Sequence, residues 1–146
     1  MNTTNQQIIK NKKIKLDFKD SKYATGRRKR SIAKVWVKKG TGNIHVNGLK
    51  MNDYFKRPVH QIIVTRPLEI SAVASNYDVK CSVKGGGLSG QAGAIILGIS
   101  KALISHDENL KKNLKKDKLT TRDSRVVERK KYGHRKARRS FQFSKR

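Results

Sequence analysis

Apolar residues that recur at strand or helix spacing are confined to one part of this chain, from Tyr23 to about Asn113. A hydrophobic core needs such periodic apolar faces, so only this part is able to form one. The residues before it are polar and rich in Asn and Lys, and those from Thr120 onward carry few, irregularly placed apolar side chains. The sequence therefore predicts a flexible extension over residues 1–22, a globular domain over 23–119 and an extended basic tail over 120–146.

The predicted domain contains strand patterns. Residues 32–38 alternate imperfectly between apolar and polar side chains, and Val79, Cys81 and Val83 alternate cleanly with polar neighbours. Turn residues at 39–43 precede residues 44–46, which we interpret as the returning strand of a hairpin with the first strand.

The same domain contains helix patterns. Residues 58–64 and 67–75 each begin with proline, which favours the first turn of a helix. Apolar residues in 89–105 follow the spacing of one buried helix face, and residues 108–114 indicate a further helical turn or two. Strands mixed with helices around one core predict an α+β fold, a two-layer sandwich.

The charge of the chain is its strongest indication of a partner. Lys and Arg number 36 against 10 Asp and Glu, a net charge of +26, which predicts a polyanionic partner. The longest apolar run, residues 94–99, is too short to span a membrane, so nucleic acid is favoured over membrane. Cys81 is the single cysteine and the four histidines lack metal-ligand spacing, so we expect no disulfide, no metal site and no cofactor.

The basic tail has the residue types that RNA binding needs. Arginine forks bind phosphate oxygens, aromatic rings stack on exposed bases, and Gly133 leaves a slim point where backbone passes close to RNA. A solvated charge run and a nuclear-localisation signal are the alternatives, and the nearly unipolar charge with interleaved aromatics argues against both. The predicted RNA-facing residues of the tail are Arg122, Arg125, Arg129, Lys130, Lys131, Tyr132, Gly133, Arg135, Lys136, Arg138, Arg139, Phe141 and Phe143.

A second basic motif lies at the mouth of the first predicted strand. Gly26 is followed by four successive cations, Arg27, Arg28, Lys29 and Arg30. A charged strand edge that deters aggregation is one interpretation. Phosphate contact is favoured, because an edge does not need four consecutive cations.

A third motif is the glycine loop that begins Lys84-Gly85-Gly86-Gly87 and leads from a strand to a helix. Gly85, Gly87 and Gly90 match the dinucleotide-binding fingerprint, but no second strand with an acidic residue follows about 20 positions later. No nucleophile–base pair or carboxylate cluster suggests an enzyme or a small-molecule substrate. The loop is predicted to place backbone N–H groups and Lys84 against an RNA phosphate, with tight strand-to-helix packing as the alternative.

Several motifs together resemble a known family. Residues 25–29, 83–95, 121–125, 128–133, 136–139 and the ending Gln142-Phe143-Ser144-Lys145-Arg146 are similar, in order, to protein nine of the small ribosomal subunit, bacterial type. The resemblance implies a ribosomal protein S-five domain-two-like fold and a structural, non-enzymatic role in translation. It also implies partners: small-subunit rRNA of the head (3′ major domain), neighbouring head proteins, and P-site tRNA, whose anticodon stem-loop Ser144, Lys145 and Arg146 would contact.

Two departures from the family pattern bear on these expectations. Residues 1–22 extend beyond the usual start, and Ser140-Phe141 stands where many relatives have a residue followed by proline. The Phe form resembles family members from alphaproteobacteria and mitochondria. Together with the Lys, Asn and Ile bias of the sequence, this resemblance favours a ribosome of the mitochondrial matrix, encoded in the organelle, with the bacterial cytoplasm as the alternative.

Overall fold

The structure, a computed structural model, describes residues 18–73 and 75–145. Its elements in chain order are β1 (Lys22–Arg28), β2 (Ser31–Lys39), β3 (Ile44–Val46), β4 (Leu49–Lys50), α1 (Met51–Tyr54), α2 (Pro58–Ile70), β5 (Tyr77–Lys84), α3 (Leu88–His106) and α4 (Leu110–Lys116). The predicted α+β class is confirmed. Most of the predicted N-terminal extension, residues 1–17, lies outside the described residues.

The five strands form one sheet in the order β1-β2-β5-β3-β4. Strands β1 and β5 both pair antiparallel with β2, whereas β3 pairs parallel with β5, with Ile44 opposite Val79. The predicted hairpin between residues 32–38 and 44–46 is therefore wrong, because β5 lies between these two strands. Turn chemistry reverses the chain locally but does not determine which strand the returning segment meets.

Asp78, near the start of β5, holds the loop that carries the chain across this strand. Its Oδ1 accepts hydrogen bonds from the backbone N–H of Thr41 at 3.0 Å and of Asn43 at 2.8 Å. Burial raises the pKa of Asp78, but these hydrogen bonds outweigh it and hold the pKa below its ordinary value. The ionised carboxylate thus fixes the route from β2 over β5 to β3.

The core lies between one face of the sheet and α3. Alternate residues of β2 (Ala33, Val35, Val37) and of β5 (Val79, Cys81, Val83) are buried, and α3 adds Ile95, Ile99 and Leu103. Each fully buried Val, Leu or Ile side chain stabilises the folded state by about 1.5–3 kcal/mol relative to an exposed one. By length and composition α3 could cross a membrane, but 61% of its apolar stretch is buried inside the protein, as expected of a core helix.

Helix α2 differs from the sequence prediction of two short helices. It is one helix, Pro58–Ile70, and Pro67 lies inside it. Proline removes one helical hydrogen bond and disfavours helical geometry at Arg66 before it. Val64, Pro67 and Leu68 are all buried, so packing of this face outweighs the local preference of proline to end the helix.

Candidate nucleic-acid interface

The four cations after Gly26 lie on a hairpin that the sequence did not predict. Arg27 and Arg28 belong to β1, and Arg28 pairs with Ser31, so that Lys29 and Arg30 form the turn between β1 and β2. Strand β1 is at the edge of the sheet, which makes edge protection a fitting role for the exposed Arg27. Lys29 and Arg30 are exposed beyond the end of the strand pairing, where that role does not apply.

The glycine loop owes part of its composition to packing. Gly85 and Gly86 have φ angles of +74° and +61°, which side chains rarely adopt. A Cβ on Gly86 or Gly90 would also press on the hydroxyl of Ser31, which donates a hydrogen bond to the carbonyl of Gly85 at 3.0 Å. Gly87 differs, because a Cβ there would meet open space. Gly87 is the N-cap residue immediately before α3 and provides no side-chain cap, which leaves the first turn of the helix open to a ligand.

The loop does not continue as a dinucleotide-binding unit. Within residues 75–145, α3 is followed by α4 and then by a segment whose sole pairing is the isolated bridge between His134 and Ser140. The second strand of a dinucleotide site is thus missing from this part of the chain. Burial also raises the pKa of the Cys81 thiol, so this cysteine is a packing residue and a poor nucleophile.

The structure brings the three basic motifs together in one groove. The groove has a volume of about 540 Å³. It is lined by the hairpin turn, the glycine loop and the start of the tail, namely Lys29, Arg30, Gly86, Gly87, Val126, Val127, Glu128, Arg129 and Lys130. We name it the convergence groove. Cations and open backbone on three sides suit a phosphate chain.

An ion-pair cluster attaches the start of the tail to the domain. Asp123 pairs with Arg125 at 2.9 Å and with Arg28 of β1 at 3.3 Å. Its hydrogen bonds from Arg125, aided by the charge of Arg28, hold the pKa of Asp123 well below its ordinary value. Asp123 was not predicted as a site residue, although it lies in a motif that carries the family resemblance. It sets where the tail leaves the domain.

The rest of the tail presents its predicted RNA-binding groups to solvent. Tyr132 is 93% exposed and Phe143 is 86% exposed, so both rings have free faces. The guanidinium of Arg129 lies 5.8 Å from the centre of the Tyr132 ring, and that of Arg135 lies 5.4 Å from the Phe141 ring. Gly133 has a φ angle of +67°, so a turn requires this glycine whatever lies beside it.

Both acidic residues of the tail are neutralised within it. Glu128 accepts hydrogen bonds from Arg138 at 3.0 and 2.7 Å, which lower the pKa of Glu128, and Asp123 is paired as described. The other predicted tail cations, Arg122, Lys131, Lys136 and Arg139, are exposed. Ser144 and Lys145 are exposed at the end of the described chain, and Arg146 lies outside the described residues. RNA contact at each predicted residue remains a prediction.

One known family matches most of the chain. The sequence model of the family described as Ribosomal protein S9/S16 matches residues 26–146, which include the hairpin turn, the glycine loop and the whole tail. The match covers well over half of the chain and confirms the resemblance seen in the motifs. The chain therefore belongs to the ribosomal protein S9/S16 family and is a protein of the small ribosomal subunit.

Proposed function

We propose that this protein is a structural constituent of the small subunit that binds rRNA through the convergence groove and the tail. The main support for this proposal is the groove itself, because three motifs far apart in sequence line one surface. Structural reasons account for Gly85, Gly86 and Gly90, but not for the open Gly87 or for the cations at the hairpin turn. A phosphate chain gives these residues a common role.

The electrostatics support an extended chain of phosphates as the ligand over a single small anion. Cations dominate the tail, and its acids are paired with Arg28, Arg125 and Arg138. An extended polyanion brings enough phosphates to neutralise the remaining charge, whereas a single anion does not. Contacts of this kind position the protein on RNA without reading its sequence.

The finer features of the proposal rest on the family resemblance. We place the domain on the 3′ major domain rRNA of the head, beside other head proteins, with the tail ending at the anticodon stem-loop of P-site tRNA. The sheet with α3 against one face supports an S-five domain-two-like fold. Composition supports a ribosome in the mitochondrial matrix, with the bacterial cytoplasm as the alternative.

Removing the charge of the hairpin turn tests the convergence groove. Changing Lys29 and Arg30 to Ser is expected to weaken binding to a transcript of the 3′ major domain by roughly tenfold, because each lost phosphate contact removes counterion release. Filter binding at fixed salt measures this. Changing Lys111 and Lys112 of α4 to Ser removes the same charge elsewhere and serves as the control. Equal losses in the two variants would contradict a role for the groove.

Removing Ser144, Lys145 and Arg146 tests the proposed tRNA contact. Subunits carrying the shortened protein are expected to assemble normally but to release P-site tRNA several-fold faster, because the charged contacts at the end of the tail are lost. Sedimentation measures assembly, and retention of labelled tRNA on purified subunits measures the contact. Unchanged tRNA retention in fully assembled subunits would refute this contact while leaving the rRNA proposal intact.

A further inference from the structure

The sheet has a second face, opposite α3, whose side chains are at least partly exposed. The strand register aligns these side chains in rows across the sheet. One row runs Tyr23, Trp36, Lys80, His45 and Lys50, and another runs Arg27, Ile32 and Lys84, with Thr25, Lys34 and Ser82 between them. We name this surface the open face. Neither the convergence groove nor the core explains its composition.

Aromatic rings gather at one end of the open face. The rings of Tyr23 and Trp36 lie 5.3 Å apart, and Tyr23 is 49% exposed. The ammonium of Lys80 lies 5.9 Å from the Trp36 ring and 5.7 Å from the ring of Phe18. Trp36 is only partly exposed, so the exposed ring of Tyr23 is the main apolar area left in water, which is a cost unless a flat partner covers it.

The charge of the open face, taken over its paired strand residues, is almost entirely positive. Six cations share the open face, namely Arg27, Lys34, Lys38, Lys50, Lys80 and Lys84, with Asp78 as its sole acid among the paired strand residues. Asp78 is already hydrogen-bonded to the loop at Thr41 and Asn43. Flat faces ringed by cations match a nucleotide, whose base stacks while its phosphate meets a lysine.

We propose that the open face is a second RNA-binding surface, where an unpaired base stacks on Tyr23 and Trp36 and lysines hold the flanking phosphates. The ligand class is single-stranded or looped-out RNA, because a base inside a helix has no free face to offer. The proposal rests on the proposed function only in making RNA the partner. It concerns a different surface, and the two are separable by experiment.

The single tryptophan makes this surface directly observable. Because Trp36 is the only tryptophan in the chain, its emission reports on the open face alone. Titration of the full-length protein with a 12-nucleotide oligouridine is expected to quench Trp36. The quenching is expected to persist at saturation when Arg129, Lys130 and Lys131 of the tail are changed to Gln. Anisotropy of fluorescein-labelled oligouridine measures total binding in parallel, so a failure of RNA binding is distinguished from a failure of stacking.

Two controls separate stacking from general attraction to polyanions. Tyr23→Ala is expected to raise the oligouridine concentration needed for half-quenching by roughly five- to tenfold, since one stacking contact is lost. Ile62→Ala, which removes an exposed apolar side chain from α2, is expected to leave Trp36 quenching unchanged. Unchanged Trp36 emission while anisotropy rises would overturn the proposal. Equal quenching by polyphosphate, or by polyglutamate as a mimic of an acidic protein, would also overturn it, because neither carries a base.

Discussion

Replacing Gly26 by Ala is expected to lower the free energy of unfolding by roughly 3 kcal/mol, the upper end of the usual cost of overpacking a core. A Cβ on Gly26 would overlap the backbone carbonyl of Ala94 and lie 2.6 Å from the backbone nitrogen of Gly98. Both contacts are backbone atoms of α3, so no side chain is able to rotate away. The helix must move off β1, and its packing on the whole sheet changes with it.

Gly87→Ala provides the matched control for this substitution. A Cβ at Gly87 meets nothing within 4 Å, and Gly87 has a φ of −104°, which any residue adopts. Loss of glycine at the start of α3 is expected to cost less than about 1 kcal/mol. Urea denaturation followed by circular dichroism compares the two variants. Equal stability of Gly26→Ala and wild type would show that α3 does not approach β1 this closely.

Changing Arg129, Lys130, Lys131, Arg135 and Lys136 to Gln is expected to weaken rRNA binding on the order of 10³-fold at moderate salt, because several phosphate contacts are lost together. These cations are exposed, and the variant leaves the ion-paired Arg125 and Arg138 in place. The domain itself is expected to stay folded, because the substituted side chains belong to no part of the core. Filter binding to the 3′ major domain transcript measures the loss.

A charge-matched variant shows whether the place of the charge matters. Changing Lys101, Lys111, Lys112, Lys115 and Lys116 to Gln removes the same charge from the exposed surface of α3 and α4. This variant is expected to lose much less affinity than the tail variant. Comparable losses would mean that net charge alone drives binding and that the tail has no special role.

The regular part of the fold was predictable where one strand or helix has a clear buried face. The alternation of Val79, Cys81 and Val83 predicted β5, and the apolar spacing in residues 89–105 predicted α3. Strand β1 was missed because its inward residues are small, namely Ala24 and Gly26, and give no alternating apolar pattern. The segment forms a strand because it pairs with β2 and because α3 packs closely against Gly26. Both contacts involve other elements of the chain, so the local sequence does not reveal them.

The candidate site was predictable as motifs but not as a surface. The sequence shows the runs of cations, the glycine loop and the interleaved aromatic residues, because each of these motifs is defined by its own residue types. Their convergence depends on contacts such as that between Arg28 and Asp123, which are 95 residues apart, and no local pattern indicates such a pair. The open face was hidden for a similar reason, since Tyr23 and Trp36 meet only through the register of β1 and β2.

The central claim is that the tail and the convergence groove bind the phosphate backbone of rRNA. The salt dependence of rRNA binding is the most direct test of this claim. If six to ten phosphates are met, the affinity of the wild-type protein is predicted to fall by about 10³–10⁵-fold between 50 and 200 mM salt. The five-cation tail variant is predicted to show a slope of log affinity against log salt that is shallower by roughly four, near 0.7–0.9 for each lost contact. A shallow slope for the wild type, or the same slope for both proteins, would contradict the account.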